Sequence, residues 1–129
     1  MDPHAYGHPV DGEENLWRRL TTLDWMPKNP DGTRRVSSAA FKGNSDDREL
    51  SVHVASLTTL DHVFNSRPEC YGVADILAKH PEGLGLRVEH TPEPEDDSHA
   101  SVYLHPEYGQ RKKDAKKMSQ LARLTERPQ

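Results

Sequence analysis

Leu50, Val52 and Val54 alternate with Ser51, His53 and Ala55. A two-residue period of this kind predicts a strand over 49–57 with one apolar and one polar face. The same alternation returns in Leu84, Leu86 and Val88, and again in Ala100, Val102 and Leu104. These runs predict two more strands, joined as a hairpin around a long acidic loop. Residues 34–41 (RRVSSAAF) read as a further strand, or an extended segment that packs Val36 and Phe41. Residues 16–23 (LWRRLTTL) fit either a strand with Trp17 on one face or a short helical turn.

Helical spacing marks other segments. Leu60, Val63 and Phe64 fall at i, i+3, i+4, after a cap at Thr58 or Thr59 and before the stop Ser66-Arg67-Pro68. Val73, Ile76 and Leu77 repeat that spacing and predict a second helix over 72–80, and residues 111–123 predict a third. Pro and Gly clusters at 27–32, 42–48, 81–83 and 106–109 separate the elements. The order of strands, helices, strands and helix predicts an α+β fold: a small, mostly antiparallel sheet of about four strands, covered by two or three helices.

The length of 129 residues allows one domain. Residues 1–15 read as an irregular polar arm, 16–110 as the α+β domain, and 111–129 as a basic C-terminal helix and tail. Only 33% of residues are hydrophobic and the mean hydropathy is −0.93, so the core is thin and a partner is expected to cover some apolar surface. A net charge of −4 gives no global attraction to nucleic acid or an anionic membrane, so such binding has to be local. The single cysteine, Cys70, excludes an intramolecular disulfide and fits a reducing compartment. No apolar run approaches the ~20 residues of a spanning helix, and the first residues lack the basic and apolar regions of a secretory signal. A cytoplasmic protein without membrane contact is expected.

Candidate chemistry gathers at 87–105 (RVEHTPEPEDDSHASVYLH), which holds five acids, two prolines and the histidines His90, His99 and His105. The carboxylates Glu93, Glu95, Asp96 and Asp97 fit no calcium-loop pattern, and histidine separations of nine and six match no standard zinc spacing. No metal or cofactor is expected.

His99-Ala100-Ser101-Val102 resembles half of the His-x-Ser/Thr signature of the 2H phosphoesterases. That resemblance implies two such motifs on adjacent strands, whose histidines act as general acid and base on a phosphate. Alternation would set imidazole and hydroxyl on one face. The second motif would be His53-Val54-Ala55, with Ala55 where the hydroxyl belongs. Arg18 in LWRRL, followed by Ser37-Ser38-Ala39-Ala40-Phe41, looks like the start of ADP-ribosyltransferase-type folds. There an early arginine and a later serine strand bind a nicotinamide dinucleotide, and a late glutamate, here Glu89 or Glu107, is catalytic.

The C-terminal segment carries Arg111, Lys112, Lys113, Lys116, Lys117 and Arg123 against one acid, Asp114. A basic amphipathic helix of this kind docks on phosphates or on an acidic partner. The leading expectation is a small interaction or regulatory protein, an accessory subunit of bacterial type. It would act through these basic residues on a protein partner or a second copy of itself. One alternative is a small phosphoester- or nucleotide-handling enzyme using His99 and Ser101 with His53 and Arg18. The other is a nucleic-acid-binding accessory module that uses the basic helix. Convergence of the histidines on one cleft would favour the enzyme.

Overall fold

The computed structural model of the chain describes residues 6–43 and 48–128. Residues 1–5 of the expected arm, 44–47 of the expected loop and the last residue of the tail lie outside them.

The fold is α+β: six antiparallel strands form one open sheet, accompanied by three helices. In chain order the strands are β1 (Asn15–Leu20), β2 (Glu49–Val54), β3 (Gly72–Leu77), β4 (Arg87–His90), β5 (His99–Tyr103) and β6 (Arg123–Glu126). The helices are α1 (Leu60–Asn65), α2 (Lys79–Gly83) and α3 (Tyr108–Leu121). Across the sheet the strands run β4-β5-β2-β1-β3-β6.

The alternation that predicts β2 holds: Leu50, Val52 and Val54 are buried in the main core. Hairpin pairing of β4 with β5 sets Val88 opposite Val102, and both enter the same core. Leu16, Leu20, Ala74, Ile76 and Ala100 join them from the other strands. Ala115 and Met118 of α3, with Ala40 and Phe41, close this face of the sheet. Thr59, not Thr58, caps α1 by accepting a hydrogen bond from the backbone N–H of His62.

Four expectations are corrected. Residues 81–83 do not break the chain but lie in α2, and the strand expected over 84–89 is β4, which starts at Arg87, with Leu84 at the end of α2. Residues 72–77 form a strand, not a helix. Val73 packs with Val63, Phe64 and Cys70 on one side of the sheet, while Ala74 and Ile76 enter the main core on the other. Ladders to β1 and β6 on both edges outweigh the helical spacing. Residues 34–41 form no strand. Arg34 makes an isolated bridge to Lys28, and Ser37 caps a 3₁₀ turn over Ser38–Phe41 that buries Ala40 and Phe41. The C-terminal helix stops at Leu121, Ala122 is extended, and Arg123 lies in β6 beside β3. The sheet therefore has six strands where about four were expected.

Part of the N-terminal arm is also ordered against the sheet. The backbone of Gly7, His8 and Val10 bonds to Val88 and His90, which covers the β4 edge.

The second side of the sheet is only partly covered. There α1 lays Val63 and Phe64 over Val73 and Trp17. Beyond α1, this side carries the polar positions of β2 and β5, among them Glu49, Ser51, His53, His99, Ser101 and Tyr103.

Candidate functional site

His53 and His99 are register partners across β2 and β5, so their imidazoles lie on the same side of the sheet. The ring centroids are 6.0 Å apart and the rings stand edge-on at 86°. Two hydrogen-bonded chains run through this pair.

The first begins at Arg19 of β1. Its Nε donates to the Val63 carbonyl at 2.8 Å, and Nη2 donates to Ser66 Oγ, so the guanidinium closes the C-terminal turn of α1. Arg19 Nη1 meets His53 Nε2 at 2.8 Å. An arginine can only donate, so Nε2 is the accepting nitrogen and the proton of the neutral ring sits on Nδ1. That nitrogen faces Asp96 Oδ2 at 3.1 Å and Ser98 Oγ at 3.1 Å.

Asp96 is brought there by the acidic loop. A two-way backbone bridge between Glu93 and Asp96 folds the loop back. Asp96 Oδ1 then accepts from the Ser98 N–H at 3.0 Å and from Ser98 Oγ at 2.5 Å. Burial and the neighbouring Arg19 cation lower the His53 pKa to about 4, although Asp96 pulls the other way. Burial raises the Asp96 carboxyl, but the Ser98 hydrogen bonds and His53 outweigh it and hold the pKa below the usual carboxylate value. Burial, with Arg67 nearby, lowers the Arg19 pKa.

The second chain starts at His99. Its Nδ1 donates to the Thr91 carbonyl at 2.9 Å and lies 2.9 Å from Thr91 Oγ1, which leaves Nε2 facing Glu93 at 3.7 Å. Thr91 Oγ1 is 2.7 Å from Ser101 Oγ, and Ser101 donates to Glu49 Oε1 at 2.5 Å. Ser101 is fully buried, at 0% exposure, and its proton is committed to Glu49. It anchors the face and does not open to solvent.

Beside His53 the sheet splits. The β1–β2 register pairs Leu16 with Val54 and Trp17 with His53, and is not continued beyond them. Arg18 spans the gap: Nη1 donates to the Ser51 carbonyl at 3.1 Å and Nε to the Ala40 carbonyl at 3.0 Å, with the guanidinium stacked on Trp25 at 5.2 Å. A cavity of about 230 Å³ opens in this fork, lined by Arg18, Arg19, Arg67, Thr21, Trp25, Ser51 and His53. Among the described residues three arginines line it and no carboxylate does.

The structure thus gathers His53, His99 and Ser101 on one face, with Arg18 at the fork next to His53. The other histidines lie elsewhere. His90 points into the core side opposite Ala100, and His105 Nδ1 accepts from the Glu107 N–H ahead of α3. The serine strand implied by the ADP-ribosyltransferase resemblance is the 3₁₀ turn, and Glu89 sits on β4 near Arg87, at 3.5 Å. Of the basic residues, Lys112, Lys113, Lys116 and Lys117 are exposed on α3. Arg111 is buried, at 4% exposure, over the Tyr108 ring. Arg123 belongs to β6.

From the sequence, Arg19, Arg67 and Ser98 have no expected role, and Asp96 is expected only as one of the carboxylates of the acidic loop. The one available signal was Asp96-Asp97-Ser98 directly ahead of His99, which needs the β2–β5 register to become meaningful. No helix among the described residues is long and apolar enough to cross a membrane. Compared with protein-family models, with curated proteins and with solved structures, the chain matches none.

Proposed function

We propose that this chain handles a small phosphoester, seating its phosphate in the fork between β1 and β2 and exchanging a proton with it through His53. The observation that carries this reading is the lining of that cavity: Arg18, Arg19 and Arg67 beside His53, without a carboxylate among the described residues. Clustered guanidinium groups repel one another, and a phosphate relieves that repulsion through paired N–H donors. The volume of about 230 Å³ lies below the ~300–1,000 Å³ of drug-sized sites, which favours a phosphate with a small substituent over a dinucleotide.

The hydrogen bonds suit a ligand-gated proton. Arg19 Nη1 donates to His53 Nε2 and keeps the ring neutral. A phosphate oxygen accepting from Arg19 would release Nε2. With a dianion in front and Asp96 behind, the imidazolium becomes favourable and Nε2 takes a proton from solvent; as a water molecule forms the new bond to phosphorus and the ester P–O bond breaks, His53 gives that proton to the leaving oxygen. Asp96 fixes the ring and the tautomer. Ser101 has no part as a nucleophile in this reading, because its hydroxyl is sealed.

The test is a titration with inorganic phosphate and p-nitrophenyl phosphate, followed by NMR of the His53 ring and by release of nitrophenol. Binding should raise the His53 pKa, and Arg67→Gln should weaken it by about tenfold, the loss of one charge-assisted contact. His53→Gln should retain binding and lose turnover. A His53 resonance unmoved by either probe defeats the reading.

A further inference from the structure

We propose that the groove between α3 and residues 34–38 docks an extended acidic segment of a partner protein that carries apolar side chains. This surface is on the core side of the sheet and is independent of the fork. It consists of two joined cavities, about 640 Å³ and about 290 Å³, which share Ser38 and Lys116.

One wall is α3. Lys112, Lys116, Ser119 and Gln120 recur at i, i+4, i+7 and i+8 and so share one helix face. They span about 12 Å of helix axis, the length of about four residues of extended chain. The other wall carries Arg34 and Arg35. Arg35 Nη1 is held by Asn29 Oδ1 at 2.9 Å, so this cation is placed rather than trailing, whereas Arg34, held by the Met26 carbonyl at 2.7 Å, is also paired through Nε with Glu126 Oε1 at 3.7 Å and adds less free charge. Lys42 and Lys113 extend the charge at the far end. Among the described residues no Asp or Glu lines either cavity. In a chain with net charge −4, this is a concentrated local reversal of sign.

Between the charged walls the lining is apolar, with Val36, Ala122, Leu124 and Pro27. That combination selects the class of partner. A nucleic-acid backbone has no use for an apolar strip, and no aromatic side chain lines the groove to stack a base. The nearby Tyr108 ring is already flanked by Lys42 at 6.0 Å and Lys112 at 5.7 Å. An extended peptide alternating acidic and apolar residues satisfies both features, since successive side chains point to the charged walls and to the strip in turn.

Fluorescence anisotropy with the 129-residue chain tests this. The probes are a labelled dodecapeptide of alternating Glu and Leu, one of alternating Glu and Ser, and a short DNA duplex. The Glu–Leu peptide should bind, and the Glu–Ser peptide and the duplex should bind at least about tenfold more weakly at physiological salt. Lys112→Glu with Lys116→Glu should abolish binding without lowering the melting temperature, because both side chains are exposed. Leu124→Ser should reduce the Glu–Leu peptide to the level of the Glu–Ser peptide. Tighter binding of the duplex would assign the surface to nucleic acid and overturn the proposal. So would equal binding of the two peptides, no binding of any probe, or indifference to the lysine reversals.

Discussion

His53 and His99 meet across the pairing of β2 with β5, yet their Nδ1 protons are directed to different partners, the Asp96 carboxylate and the Thr91 carbonyl. His53 points Nδ1 at Asp96, 3.1 Å away, and His99 leads through Thr91 and Ser101 to Glu49. Two neighbouring imidazoles thus have separate environments. Only His53 lines the arginine-rich fork.

The Arg19 contact makes a direct prediction about His53. Burial and the Arg19 cation depress the His53 pKa to about 4. Arg19→Gln removes the cation and retains burial, so the pKa should rise from that value without fully reaching the ordinary imidazole value. A pH titration of the His53 ring by NMR reads this. An unchanged midpoint would mean that Arg19 does not bear on the imidazole.

His53 should also shape the acid limb of stability. Its folded pKa is depressed to about 4 from 6.5, so above 6.5 neither state binds the proton. As pH falls through this window the unfolded chain takes up the proton first, and stability declines until the folded pKa is reached. The depression corresponds to a loss of about 3 kcal/mol. Asp96, held below the usual carboxylate value, contributes only at lower pH still. Denaturant melts between about pH 7 and about pH 4 should show the decline, and His53→Gln should flatten it.

Ser101→Ala separates anchoring from catalysis. The substitution removes the link between Thr91 and Glu49 in a fully buried position. It should cost about 1–3 kcal/mol, the penalty for leaving buried polar partners unmatched. Phosphate binding at the fork should persist. A stable Ser101→Ala protein that has lost turnover while still binding phosphate would instead make Ser101 a reacting group.

Gly72→Ala distinguishes strand from helix by sign. A Cβ at Gly72 would meet the Thr125 carbonyl and the end of Met26, each at 3.1 Å. Met26 can turn aside, but the β6 backbone cannot without disturbing its ladder to β3. A loss of about 1–3 kcal/mol is expected, with faster amide exchange in β6. Were 72–80 a helix, the same change would instead gain up to about 1 kcal/mol.

Several elements were legible in the chain because local pattern and tertiary environment agree there. The alternation of Leu50, Val52 and Val54 matches a strand with one buried face, and the β4–β5 hairpin follows from the same period on both sides of the acidic loop. The spacing of Leu60, Val63 and Phe64, bounded by Thr59 and Pro68, marks α1. Residues 72–77 were misread because both of their faces are buried. A strand enclosed on two sides loses its alternation, and Val73, Ile76 and Leu77 then satisfy a helical template as well. Arg123–Glu126 was hidden for another reason: a short edge strand takes its identity from the neighbour it pairs with.

The sequence by itself determined the α+β class, the polar face of β2 and β5, the acidic loop and the run of lysines on α3. Each depends on residues close together in the chain, where side-chain period and turn chemistry act. Tertiary structure alone decided which charges meet. Register set His53 against His99, the loop closure carried Asp96 onto His53, and α1 received Arg19 from β1. The fork exists because β1 and β2 part beyond Trp17 and His53, leaving Arg18 to bridge backbones 33 residues apart. Electrostatic and hydrogen-bond energies depend on distance in space, and only the folded chain assigns those distances.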